Sequence, residues 1–246
     1  MTDTAYDVVI VGAGIVGAAC AEGFARRGMR VAIVDRDFVG GGATAAGMGH
    51  IVVMDDSEAQ FALTRYSQRL WQSLRRDLPD DVEYEQCGTI WVAADQDEMA
   101  EVRRKHQYYG TRGVPTEVLG ALELKKLEPN LREGMVGGLL VPEDAVLYPP
   151  CAARFLVEKA QQHGAALRLG KAAVRAGRGV VGFSDGSKIT AGLIVNAGGA
   201  WAADLMPGVE VKKRKGHLVI TDRYPGVFTP SVGGTGISEE RSFGQQ

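Results

Sequence analysis

The sequence predicts an α/β chain, α+β overall, in which a parallel-sheet domain built on a βαβ unit is interleaved with a second domain on a mixed or antiparallel sheet. Three observations predict it. Residues 6–35 run strand, glycine turn, helix, strand, acid. Residues 83–148 carry short β-rich runs with no second unit of that kind, and the late apolar run LIVNAGGAW, Leu193 to Trp201, ends in small residues as a returning parallel strand does.

The first unit is YDVVIVGAGIVGAACAEGFARRGMRVAIVD, Tyr6 to Asp35. Asp7 to Val11 is a β-branched apolar run, as expected of a strand buried on both faces. Gly12, Gly14 and Gly17 give G-x-G-x-x-G. Gly12 permits the tight turn, Gly14 has no Cβ to keep a pyrophosphate off the backbone, and Gly17 lets the helix press on the strand. The helix starting near Ile15 points its unpaired N–H groups and positive dipole end at the phosphates. Asp35 closes the second strand eighteen residues after Gly17, where a carboxylate accepts hydrogen bonds from ribose hydroxyls and disfavours a 2′-phosphate. This Rossmann-like unit fits FAD or NAD equally.

Composition sets outer bounds. At 246 residues and 45% hydrophobic content the chain can bury a substantial core, and a formal net charge of −2 gives no electrostatic case for nucleic acid or an anionic membrane. Cys20, Cys87 and Cys151 form no C-x-x-C pair, so neither a zinc site nor a disulfide framework is expected, and a metal site is not expected at all. Neither a signal segment nor a membrane-spanning run is visible. The expectation is a cytoplasmic protein, with peripheral contact at the inner face of a membrane left open.

After the second strand, FVGGGATAAGMGHI, Phe38 to Ile51, is a small-residue loop, either a surface connection or a backbone that approaches a ligand closely. Leu63, Tyr66, Leu70 and Leu74 then predict a packing helix over Ser57 to Arg76, with Ser57 as N-cap. EYEQCGTIWVA, Glu83 to Ala93, predicts two short strands or a bend at Gly88. Met99, Val102, His106 and Tyr109 predict a helix ended by Gly110, with His106 packed on its apolar side. Strands follow at Val136 to Val141 and Ala145 to Tyr148, then a helix opened by Pro149 and Pro150 and closed by Gly164. Ala166 to Ala176 reads as one strand, and Gly179 to Phe183 with Lys188 to Thr190 as a hairpin over Ser184-Asp185-Gly186.

The order of G-x-G-x-x-G, acid, then ATAAGM resembles the FAD-dependent amine oxidoreductases that include glycine oxidase, sarcosine oxidase and the D-amino-acid dehydrogenases, D-hydroxyproline dehydrogenases among them. The late hairpin followed by I-V-N-A-G-G strengthens this over an NAD-dependent dehydrogenase, which has no reason to carry it. The resemblance implies FAD as cofactor. It places Gly12, Gly14, Ile15, Val16 and Gly17 at the phosphates with Asp35 and Arg36 beside them, Ala43, Thr44, Ala46, Gly47, Met48 and Gly49 along the ribityl chain and ring, the backbone of Val174 against the adenine, and Ala197, Gly198 and Trp201 near phosphates and sugar. Trp201 is equally explicable as core. Met48, His50 and His217 are the candidates on the catalytic side, His217 as a group that could steady negative charge on reduced flavin.

The implied domains are 1–82 with 149–210 for FAD, and 83–148 with 211–228 for a partial substrate domain. The resemblance runs from Tyr6 to about Phe228, and residues 229–246, polar and glycine-rich, are expected to lack regular structure, so the chain reads as a fragment or truncated product. No Arg matches the family's carboxylate-gripping position, which puts activity of this chain alone in question. The implied chemistry is hydride transfer to flavin from the carbon bearing an amine, in a D-amino acid or secondary amine such as D-hydroxyproline, D-proline, glycine or sarcosine. Electrons then pass to oxygen, a quinone or a partner flavoprotein, and a homo- or hetero-oligomer is allowed. The alternatives are an FAD-binding subunit without activity of its own and an NAD-dependent dehydrogenase.

Overall fold

A computed structural model describes residues 5–206, 208, 210–213, 216 and 231–234. The chain divides into two compact units. The first comprises Met1–Gly49, Asp77–Glu83 and Leu147–Ile220, the second His50–Arg76, Tyr84–Val146 and Thr221–Gln246.

In the first unit β1 (Tyr6–Val11) lies between β2 (Val31–Val34) and β11 (Lys188–Asn196), parallel to both, with Val8 opposite Val31 and Leu193. Val8, Val9, Ile10 and all of β2 are fully buried, which is why these strands are apolar without alternation. Helix α1 (Ile15–Ala25) buries Gly17, Ala18, Ala21 and Ala25. That small-residue face lets it lie close to helix α5 (Pro149–Gln162), which carries its prolines in the first turn, where no N–H is missed, and buries Ala152, Phe155, Leu156 and Ala160 among others.

The six-stranded sheet has the order β8-β2-β1-β11-β10-β9, where β8 is Ala166–Arg168, β9 Ala173–Gly177 and β10 Val180–Phe183. The single strand expected over Ala166 to Ala176 is therefore two strands on opposite edges. Gly170 adopts φ 70° between them, a turn conformation that ends β8. From Arg168 to Ala173 the chain can span at most about 18 Å, whereas six strands laid flat cover roughly 24 Å. The antiparallel trio must therefore curl back over the parallel strands. The core confirms the curl, since Val9, Val11, Ala32 and Val34 share one cluster with Val181, Phe183, Ile189 and Leu205. The two β-runs expected on either side of Thr190 are one strand, β11. Its start pairs antiparallel with β10 and its remainder parallel with β1. A turn at Arg178 (φ 47°) and Gly179 (φ 74°) joins β9 to β10. In the next turn Asp185 accepts from the Ser187 N–H and hydroxyl and pairs with Lys171.

In the second unit a sheet of order β12-β4-β6-β5 combines β12 (Ser231–Gly234), β4 (Thr89–Ala93), β6 (Gly137–Val141) and β5 (Glu117–Gly120). β4, β6 and β5 are antiparallel, and β12 is parallel to β4. Residues 231–234 thus form regular structure within a segment whose composition suggested none. A two-stranded ribbon pairs β3 (His50–Ile51) with β7 (Ala145–Val146), and an isolated bridge links Glu85 to Val146 across the bend at Gly88 (φ 77°). The short helix α4 (Ala121–Leu127) buries Leu124 against Ile90 and Leu119.

Helix α2 (Glu58–Leu74) is capped as expected, the Ser57 hydroxyl accepting from the Gln60 N–H at 3.2 Å. Its orientation is not as expected. Leu63, Tyr66 and Leu70 are 67%, 61% and 46% exposed, while Phe61 and Gln68 are buried. Helix α3 (Gln96–Gly110) buries Met99, Val102 and Tyr109, but the remaining inward position is Lys105, and His106 is exposed with Nδ1 2.8 Å from the Thr116 hydroxyl. The cause is electrostatic: Asp55, nearly fully buried, is paired by Lys105 and Arg104, and the Lys105 ammonium lies 5.0 Å from the centre of the Trp91 ring. Gly110 is the last helical residue, with Thr111 as cap, and the left-handed glycine follows at Gly113 (φ 70°). Among the described residues no helix is long and apolar enough to cross a membrane.

Candidate dinucleotide site

The three glycines of the first turn have different physical reasons. Gly12 has φ 110°, and a Cβ there would lie 2.3 Å from the Ala197 carbonyl oxygen; a Cβ on Gly17 would lie 1.9 Å from the Gly12 carbonyl oxygen. Both are demanded by the fold itself. Gly14 has φ −69°, which any residue adopts, and a Cβ would meet only the Thr44 hydroxyl at 3.0 Å. The fold asks for a glycine at Gly14, beside the start of α1, less strictly than at the other two. Helix α1 has no side-chain cap from Gly14 and no acid in its first turn, so its positive end carries no counter-charge of its own. The Thr44 hydroxyl accepts from the Ile15 N–H at 3.0 Å. Val16, next in the turn, is 63% exposed.

Asp35 is anchored at both oxygens. Oδ2 accepts from the Ala13 N–H at 2.7 Å and Oδ1 from the Asp37 N–H at 2.9 Å. The carboxylate therefore braces the glycine turn as well as presenting its second lone pairs outward.

The small-residue loop is pinned at both ends. The Gly40 N–H donates to the Ala13 carbonyl at 2.9 Å, and the Gly49 carbonyl accepts from the Leu147 N–H at 3.0 Å. Gly49 has φ 74°, and a Cβ there would lie 1.8 Å from the Leu147 carbonyl oxygen. Between these anchors Ala43, Ala46, Gly47 and Met48 are exposed and Thr44 half-buried. A loop whose ends are held and whose middle shows bare backbone can be lined up along a flat ligand.

The third wall follows β11. The Ala197 N–H donates to the Val11 carbonyl at 2.8 Å, and Asn196 turns the chain, its side chain accepting from the Gly198 N–H at 3.2 Å and donating to the Ala202 carbonyl at 2.8 Å. Asn196 and Asp37 are missed by motif spacing; an Asn just before Ala-Gly-Gly is the Asx-type signal for the first. Trp201 is 40% exposed with the Arg36 guanidinium 4.2 Å from its ring centre, so it is not core. Val174, on β9, is 58% exposed. Gly12, Gly14, Asp35, Arg36, Thr44, Ala197, Gly198 and Trp201 are thus linked by direct contacts within one unit.

Met48 is exposed at the end of the loop in the first unit, His50 opens β3 in the second, and His217 lies outside the described residues. Among the described residues no group of three or more His, Cys, Asp or Glu could hold a metal ion.

The second unit holds a buried polar centre. Asp144 is fully buried; its Oδ1 accepts from the Val53 N–H at 3.2 Å and from Gln68 Nε2 at 3.0 Å. Oδ2 has no aligned partner, although the Thr89 hydroxyl lies beside it. Burial pushes the carboxyl up to about 7, against the pull of these hydrogen bonds and of Arg65. Around Asp55 burial also pushes upward, but the contacts with Lys105 and Arg104 outweigh it and hold that carboxyl below its usual range.

The pattern of the FAD dependent oxidoreductase family matches residues 7–241. Glycine oxidase from Geobacillus kaustophilus (strain HTA426) is 30% identical over 211 residues, covering 81% of this chain and 56% of that protein. The crystal structure of glycine oxidase from Geobacillus kaustophilus superposes with a TM-score of 0.75 at 29% identity, over 82% of this chain and 57% of that one. Hydrogen cyanide synthase subunit HcnC of Pseudomonas aeruginosa is 28% identical over 277 residues, covering 89% of this chain and 65% of that protein. The chain spans between about half and two thirds of the length of these relatives. The match decides between the two dinucleotides that the glycine unit alone leaves open, in favour of FAD over NAD. From residue 7 to residue 241 the sequence follows one pattern, and the chain belongs to the FAD-dependent oxidoreductase family.

Proposed function

We propose that this chain binds FAD through its first unit and serves the oxidation of a carbon–nitrogen bond in a small D-amino acid or secondary amine, the class that holds D-hydroxyproline, D-proline, glycine and sarcosine. The observation that carries the binding step is the bare Gly14 beside a helix start with no acid in its first turn. The oxidation of an amine rests on the likeness to glycine oxidase.

FAD, when bound, supplies the hydride acceptor. The chain's own residues supply placement. The N–H groups opening α1 face the pyrophosphate, and Asp35, braced by Ala13 and Asp37, takes the ribose hydroxyls. Ala197 and Gly198 leave backbone open at the end of β11, and Val174 lies on the adenine side. The pinned loop from Ala43 to Gly49 keeps bulk away from the ring and ribityl chain, with Met48, His50 and His217 the candidates on the catalytic side. Oxygen, a quinone or a partner flavoprotein takes the electrons.

A second function follows from one observation, that the similar HcnC is a subunit of a larger enzyme. Here the chain holds FAD while another polypeptide completes the substrate site. One preparation separates the two. FAD is measured in the purified protein, which is then mixed anaerobically with D-proline, D-hydroxyproline, glycine and sarcosine. Bleaching of the flavin band supports the complete oxidoreductase, a bound but unbleached flavin supports the subunit, and protein that takes up no FAD defeats both.

A further inference from the structure

Helix α2 carries two faces of different use. One takes Phe61 and Gln68 into the second unit. On the opposite side Ala59, Ala62, Leu63, Tyr66, Leu70 and Ser73 fall within about 100° of one another at the helical period, and all six are exposed. No charged residue interrupts this stripe. Single exposed apolar residues are ordinary on a protein surface, but a line of them along a helix about 25 Å long marks a contact surface. The small residues at its two ends let another helix come close, and Leu63, Tyr66 and Leu70 supply bulk in the middle.

Charge along the helix says which occupant fits. Glu58 opens it, paired with Arg112 at 2.6 Å yet with its side chain 71% exposed. At the far end Arg76 is exposed, whereas Arg75 is turned back onto the Tyr84 ring and Gln86. At the helical period Glu58, Arg69 and Arg76 lie along one flank of the stripe. Consider two such helices related by a two-fold axis through Tyr66. Ala59 then faces Ser73, Ala62 faces Leu70, and Glu58 differs in height from Arg76 of the other copy by only about 3 Å. A parallel pair instead sets Glu58 against Glu58 and Arg76 against Arg76. The helix dipoles favour the antiparallel choice as well.

We infer that the exposed face of α2 pairs with the same face of a second copy of this chain, antiparallel about Tyr66. This goes beyond the cofactor site and does not depend on it. A helix of this size has a footprint of about 250 Å², well under the roughly 800 Å² per partner of a standard interface. Association through it is therefore weak, in the micromolar to submillimolar range.

The test is sedimentation velocity of the purified protein over a concentration series, joined to disulfide trapping. The wild type is expected to shift reversibly from monomer to dimer. Leu63→Glu and Leu70→Glu each put a charge into the seam and are expected to weaken association about tenfold or more, with FAD content and the melting midpoint of dilute protein unchanged. Under mild oxidation Tyr66→Cys is expected to link to itself. Glu58→Cys is expected to link to Arg76→Cys when the two are mixed and not to itself, because its own copies stand about 24 Å apart. The three native cysteines are half-buried, and the wild type gives their background. A monomer at submillimolar concentration overturns the inference and leaves the face to a different polypeptide. Undiminished dimerisation in both Glu variants overturns it by placing the interface elsewhere, and self-linking of Glu58→Cys overturns the antiparallel pairing. If the Glu variants fail to fold, trapping decides, and absence of a link at Tyr66→Cys overturns the inference. FAD uptake is scored separately, so failure of the cofactor site is distinct from all of these.

Discussion

The two units meet the same difficulty, polar groups that must be kept from water, in opposite ways. Around the glycine turn of the first unit the buried residues are Val, Ile and Ala, and the polar work is done by backbone, with one carboxylate, Asp35, half-buried to brace it. The second unit buries Gln68, Asp144 and Lys105, ties Gln68 and Asp144 to each other and to backbone, and pairs Lys105 with Asp55. A site that must admit a large ligand has to leave space, so its shape is set by what is missing, Cβ atoms above all. The second unit uses buried side chains as latches, at the cost of a carboxyl, Asp144, that burial pushes up to about 7.

The sharpest way to break the contrast is Gly17→Val. Its Cβ is driven into the Gly12 carbonyl, and the expected loss is on the order of 4 kcal/mol or more, seen as failure to fold or a collapsed melting midpoint. Gly14→Val separates ligand space from fold. The backbone there is ordinary and only the Thr44 hydroxyl is crowded, so the unliganded midpoint should move by a few degrees while FAD content falls to nothing. Stoichiometric FAD in purified Gly14→Val would refute the assignment.

In the second unit the test is pH. Asp144 titrates higher folded than unfolded, so its contribution is fully present below the unfolded carboxylate range near 4 and is lost as pH rises through about 7. Denaturation of the wild type should show stability falling by about 3 kcal/mol between pH 5 and pH 8 from this group, and Asp144→Asn should flatten that slope. An unchanged slope would mean the buried centre is wetter than its geometry implies. The smallest effects belong to α2. Ser57→Ala should cost about 1 kcal/mol, and Leu63→Gln, on the exposed face, less than about 0.5 kcal/mol by chemical denaturation.

What was legible in the sequence follows the same division. β1, α1 and β2 could be read because a doubly buried strand admits only apolar residues, and a turn pressed against Ala197 and its own helix admits only glycine at Gly12 and Gly17. The prolines opening α5 and the Ser184-Asp185-Gly186 turn are equally local. The direction of α2 was not legible, since Leu63, Tyr66 and Leu70 make as good a stripe as any, and the tertiary contacts of Phe61 with the core and of Gln68 with Asp144 turn the opposite face inward. Nor was the exchange of His106 for Lys105, which depends on Asp55, some fifty residues away. At the site, the glycines and Asp35 are written in spacing. The Thr44 contact with Ile15 and the Arg36 stack on Trp201 are tertiary, and here the family resemblance, not the residues, supplied the expectation.

The continuity of β11 carries a mechanical consequence. One uninterrupted strand runs from the hairpin at Lys188 to Asn196, whose side chain sets the turn at Ala197 and Gly198. Between the outer β9–β10 hairpin and the turn at Ala197 and Gly198 there is thus one continuous strand. Its amides should open to solvent exchange together as one cooperative block, slower than the loop at Phe38 to Gly49. Occupancy of the site should be felt as added protection as far away as the β10 turn, without any residue there touching the ligand.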